Sequence, residues 1–173
     1  SLTVPAKIVA DFVASLPNEE VYLRQVDQKL QLESGTYKSS VNCLKAEDFP
    51  SLPVVERQDP LKVAFSVFKH GLEQTIFAAS SDESRPALTS VLMRSEGKTL
   101  TLVSTDSYRL AEKKLNIKSG SVDALVPSSA LLELARVLTK HNVGQVELYS
   151  SGAQALFVVG QTELVTRLID GNY

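Results

Sequence analysis

Leu125-Val126-Pro127-Ser128 opens the pattern that decides the fold. A helical stretch follows it, then Val146-Glu147-Leu148, a hairpin, Gly160, and Leu168 leading to Tyr173. The same order runs earlier in the chain. Thr3-Val4-Pro5-Ala6 precedes a helical stretch, then Val21-Tyr22-Leu23, a hairpin, Gly35, and Leu44 leading to Phe49-Pro50. Pro5 and Pro127 stand 122 residues apart. Solenoid repeats have periods of about 20–50 residues, so a repeat this long is a domain. Residues 1–52 therefore read as the C-terminal half of one domain and 53–173 as a complete copy. The seam is Phe49-Pro50-Ser51-Leu52-Pro53, where two prolines in four residues stop regular structure, followed by the polar stretch Glu56 to Pro60. The chain starts at Ser1 and stops at Tyr173 within patterned segments, so both ends are expected to be cut.

Three helices are expected. From Pro5, Ile8, Val9, Phe12, Val13 and Leu16 share one face, with proline at the first turn. A second helix is expected after Ser66 as N-cap, carrying Phe68, Leu72 and Ile76 on one stripe. Gly71 inside it costs about 1 kcal/mol of helix propensity. A third begins at Pro127 and sets Leu131, Leu132, Leu134, Ala135 and Leu138 on or beside one face. Alternation predicts strands at 21–23, 30–32, 63–65, 100–103 and 146–148. Leu156-Phe157-Val158-Val159 is a continuous apolar run, as in a strand buried on both faces. Turns at Glu96-Gly97-Lys98 and Ser151-Gly152 are short. Short antiparallel strands with isolated helices make an α+β protein with helices on one face of the sheet.

Composition narrows the class. The chain is 43% hydrophobic and 22% charged, with 18 basic and 20 acidic residues and one cysteine. Cys43 cannot form an internal disulfide, and no apolar run approaches the roughly 20 residues of a membrane span. A pI near 5.7 argues against nucleic-acid binding by bulk charge, for which a value above about 9 is expected. The reading is a cytoplasmic globular protein without cofactor or metal. His70 and His141 lack Cys or acidic partners at ligand spacing, and no dinucleotide-binding, P-loop or nucleophile-elbow motif occurs. Asp82, Glu83 and Asp106 suit surface turns better than acid–base catalysis, and Cys43 suits a small core site. No enzyme is expected.

Phe77-Ala78-Ala79-Ser80, Asp82-Glu83-Ser84-Arg85-Pro86 and Thr105-Asp106-Ser107-Tyr108-Arg109-Leu110-Ala111 closely resemble the bacterial DNA polymerase III sliding clamp (beta subunit) family. The closing Arg167-Leu168-Ile169-Asp170-Gly171 with Tyr173 resembles the end of that family's second domain. The resemblance implies the DNA-clamp fold, three such domains per chain, and a homodimer closing head to tail around double-stranded DNA. Three periods make roughly 366 residues, so about half a subunit is expected here. It implies a processivity factor tethering the replicative DNA polymerase, with the clamp loader and other clamp-binding-motif proteins as partners and no membrane. A ring held by topology needs no tight phosphate contacts, which would deepen the binding well and oppose sliding. An acidic pI is then compatible with DNA.

The resemblance places the helices along the channel. The DNA-facing candidates are Lys7, Lys69, Arg85, Arg136 and Lys140, whose other reading is a solvated helix face. It also implies a groove for partner peptides, with Leu88, Thr105, Ser107, Tyr108, Arg109 and Leu110 as its wall. Leu88 and Leu110 offer apolar surface, Tyr108 a ring with a polar tip, and Arg109 a charged fork on an aliphatic stem. The competing reading makes residues 106–107 a type I turn and Leu110 a core residue. The alternative function is a cytosolic α+β peptide- or ligand-binding module that encircles nothing, for which a 122-residue internal copy has no purpose.

Overall fold

A computed structural model of the chain describes residues 1–50, 54–139, 144–171 and 173. It falls into two compact units, Ser1–Leu52 and Pro53–Tyr173. Ser51 to Pro53, Lys140 and His141 lie outside the described residues.

The larger unit holds two four-stranded antiparallel sheets and two helices. Its strands are β6 (Leu61–Ala64), β7 (Ser90–Glu96), β8 (Thr99–Thr105), β9 (Leu110–Asn116), β10 (Asp123–Pro127), β11 (Gln145–Ser151), β12 (Gln154–Val159) and β13 (Thr162–Arg167). Helix α2 (Phe65–Glu73) follows β6, and α3 (Ser128–Thr139) follows β10. The sheets run β10-β7-β8-β9 and β13-β12-β11-β6. The sequence thus reads strand, helix, three strands, twice over, and each first strand joins the other half's sheet. This exchange locks the halves together. Isolated bridges Lys62–Ser119 and Leu125–Ile169 add to it.

The smaller unit repeats one half of that order. It runs β1 (Leu2–Thr3), α1 (Ala6–Ala14), β2 (Tyr22–Val26), β3 (Lys29–Ser34), β4 (Tyr37–Asn42) and β5 (Leu44–Lys45). Thr3 pairs with Leu44 as Leu125 bridges to Ile169. Its core is thin. Leu32, Val41 and Cys43 are its buried apolar residues, while Ile8 on α1 and Leu23 on β2 stand 57% and 63% exposed. The Cys43 thiol donates to Val41 O at 3.3 Å, as befits a small core residue.

The core of the larger unit lies between helices and sheets. Phe68, Gly71 and Leu72 of α2 and Leu131, Leu134 and Leu138 of α3 are buried, and the two helices pack together. Strand β8 alternates, with Leu100, Leu102 and Ser104 inward. In β12, Leu156, Phe157 and Val159 of the apolar run are buried, as is Ala155, while Val158 is half-buried. The α+β expectation holds.

Several local expectations differ. Helix α1 ends at Ala14, before Leu16, and α2 ends at Glu73, so Ile76, expected on its stripe, lies in the 3-10 turn Ile76–Ala78. Helix α2 starts at Phe65, not after Ser66, and Ala64 gives it no side-chain cap. The Phe65 N–H donates instead to Gly144 O at 3.1 Å, so a neighbouring loop supplies the cap. Phe65 therefore belongs to the helix, and its strand ends at Ala64. Gly71 is tightly packed: a Cβ there would lie 2.7 Å from Leu115 Cδ1 and 3.1 Å from Leu102 Cδ1, so these leucines would have to shift. Among the described residues no helix is long and apolar enough to cross a membrane.

Candidate functional site

The loop between β8 and β9 carries the motif that stands out in the sequence. Residues 106–107 do not form a type I turn. Ser107 has φ +77°, the left-handed region, whereas both central residues of a type I turn have negative φ. Asp106 stabilises this conformation. Its Oδ1 accepts the backbone N–H groups of Tyr108 and Arg109, both at 3.0 Å. Its Oδ2 accepts Arg109 Nε at 3.0 Å. These bonds to the Arg109 and Tyr108 amides, with the Arg109 charge, hold the Asp106 carboxyl below its ordinary range.

Arg109 is held at its far end too. Its Nη2 donates to Phe77 O at 2.8 Å, and its guanidinium carbon lies 5.7 Å from the Phe77 ring centroid. Phe77 sits in a 3-10 turn, Ile76–Ala78, after α2. Thr105 closes the loop from the β8 side. Its Oγ1 donates to Arg109 O at 2.6 Å and accepts Ser107 N–H at 3.1 Å. Its N–H donates to Tyr173 Oη at 2.7 Å, so the last residue latches onto the end of β8.

Opposite this loop runs the segment 79–88. Asp82 organises it, with Oδ1 accepting Ser84 N–H at 2.9 Å, and bonding to Ser84 lowers its pKa. A 3-10 turn, Pro86–Thr89, then presents Leu88, half-buried, whose carbonyl accepts Ser80 N–H at 2.8 Å. Between the two segments lies an open cleft of about 450 Å³.

The cleft brings together Leu88, Tyr108 and Arg109 of the expected wall. Tyr108 is 98% exposed and Leu110 65%, so Leu110 is no core residue. Thr105, Ser107 and Leu110 stand beside the cleft and do not line it. Arg85, grouped in the sequence with the helix cations, is a wall residue here. Sequence reasoning missed Phe77 as the residue that holds the far end of Arg109, because its 59% exposure is visible only in the fold. It also gave Asp106 no role here.

The described helix cations sit on three different helices. Lys7 is exposed on α1 of the smaller unit. Lys69 on α2 lies 3.8 Å from Glu73, and Arg136 on α3 lies 2.5 Å from Glu133. Lys140 lies outside the described residues. Among the described residues no group of three metal-ligating side chains gathers.

Two sheets exchanging their first strands, two helices side by side and an open surface cleft define a clamp-fold domain. The family model for the DNA polymerase III beta subunit, central domain, matches residues 62–173. The beta sliding clamp of Staphylococcus aureus (strain Mu50) is 31% identical over the whole of this chain and 46% of its own length. A sliding-clamp crystal structure from Bacillus subtilis superposes with TM-score 0.87 and 30% identity, over 99% of this chain and 46% of that one. One from Pseudomonas aeruginosa bound to griselimycin gives 0.88 and 30%, over 99% and 47%. The chain belongs to the DNA polymerase III beta subunit family. It spans about half the length of the relatives it matches.

Proposed function

We propose that this chain is part of a ring-shaped sliding clamp that tethers a replicative polymerase to duplex DNA. Residues 1–52 are the C-terminal half of a first clamp domain, and 53–173 are the central one. The observation that carries this reading is the match to clamp structures over 99% of the chain, across both units and in order. The 122-residue repeat supports it, because a ring is built from near-equivalent domains. The role is non-catalytic and cytoplasmic. Lys7, Lys69, Arg136 and Lys140 meet DNA phosphates loosely, without base preference.

The cleft docks partner peptides. Leu88 offers apolar contact within the cleft and Leu110 beside it, Tyr108 a ring, and Arg109 a fixed cation, with Thr105 and Ser107 shaping the loop between them. Griselimycin, bound by the clamp from Pseudomonas aeruginosa, serves as the test ligand. Titrated into the isotope-labelled chain, it is expected to shift the amide signals of Leu88, Thr105, Tyr108, Arg109 and Leu110 before any other cluster. Shifts confined to another surface, or none at all, would contradict the docking role.

A further inference from the structure

The Asp106 carboxylate gathers three N–H groups, two from the backbone of Tyr108 and Arg109 and one from the Arg109 side chain. The Asp106 side chain is 22% exposed, while that of Arg109 is 58% exposed. The anchor is sheltered and the cation it holds faces outward. Arg109 is fixed again by Phe77, through its carbonyl and beneath its ring. Tyr108 is almost wholly exposed, so its backbone alone aims the ring.

We infer that Asp106 is the positioning residue of the cleft, holding Tyr108 and Arg109 in the arrangement that a docking peptide meets. This rests on the docking role proposed above. Asp106 also lines the cleft, but both its carboxylate oxygens are taken up by these N–H groups of its own loop. It acts by having the loop in its bound shape beforehand, which spares the ligand the cost of ordering it. In an asparagine the one oxygen would stay with the two backbone N–H groups and an NH2 donor would face Arg109 Nε, so the carboxylate holds Arg109 where an amide would not.

Two variants separate the parts. Asp106→Asn keeps an oxygen for the two backbone N–H groups and removes the charge facing Arg109 Nε. Asp106→Ala removes all three bonds. The readouts are the Arg109 Nε–H signal without ligand, the initial slope of the cleft shifts against griselimycin concentration, and the thermal midpoint. For Asp106→Asn the Nε–H signal moves and the slope falls about threefold at an unchanged midpoint. For Asp106→Ala the slope falls further, and if that variant unfolds, Asp106→Asn still decides. An unmoved Nε–H signal, or equal slopes in Asp106→Asn and the unchanged chain, overturns the positioning role. Absence of cleft shifts in the unchanged chain overturns the docking role instead, and the positioning role with it.

Discussion

The ring of Phe68 on α2 stacks on that of Phe157 on β12, with centroids 6.3 Å apart and planes at 26°. Each belongs to a different half of the larger unit, and both are fully buried. The contact joins what the exchanged strands β6 and β10 already tie together. Phe157→Ala removes the partner ring and leaves a cavity that helix and sheet cannot close. The expected loss is about 3–5 kcal/mol of unfolding free energy. Denaturant unfolding followed by a probe within the larger unit measures it; a loss below about 1 kcal/mol would show that the halves do not depend on this contact.

Gly71 tests the same core from the helix side. By propensity alone, Gly71→Ala should stabilise α2 by about 1 kcal/mol. The space says otherwise, since the new methyl would stand 2.7 Å from Leu115 Cδ1. Overpacking of this kind costs typically about 1–3 kcal/mol, so net destabilisation is expected. A raised thermal midpoint would mean that Leu115 and Leu102 yield freely.

Leu88 separates groove from core by one variant and two measurements. It is half-buried, not enclosed. Leu88→Ala is expected to weaken griselimycin shifts at Tyr108 and Arg109 severalfold while costing under about 2 kcal/mol, below the 2–5 of a core leucine. Loss of stability with unaltered binding would place Leu88 in the core.

Direct DNA binding by this chain is expected to be weak and steeply salt-dependent. Four cations neutralising one phosphate each give a log–log salt slope of about −3.6 at most. Lys69 and Arg136 already face Glu73 and Glu133, which lowers their share. Replacing Lys7, Lys69, Arg136 and Lys140 by alanine together should abolish the low-salt binding seen in fluorescence anisotropy. Unchanged binding would put the contact surface elsewhere.

The fold was legible where side-chain period and burial coincide. Leu100 and Leu102 alternate with Thr99, Thr101 and Val103 in β8, and the run 156–159 is a strand with Leu156, Phe157 and Val159 buried. Strand β9 was not legible in this way, because Glu112, Lys113 and Lys114 leave only Ala111 and Leu115 to mark its inward face. Ser66 misled because serine is a good N-cap, whereas the actual start is capped from the loop at Gly144, far along the chain. The repeat was legible because it survives as order rather than identity: Val-Pro, helix, hairpin. At the site, the residue types were readable from the family likeness, but the role of Asp106 was not. It depends on Ser107 adopting a positive φ and on Phe77, 32 residues away in sequence, taking the far end of Arg109.

The central claim is that these residues form part of a ring around DNA. The most direct measurement substitutes this chain for the matched 46% of the Staphylococcus aureus clamp and follows retention on DNA after loading by its clamp loader. The account predicts that the chimera stays on nicked circular DNA and is lost rapidly once the circle is cut, since topology rather than charge holds it. A folded chimera that leaves circular and linear DNA at the same rate would contradict it.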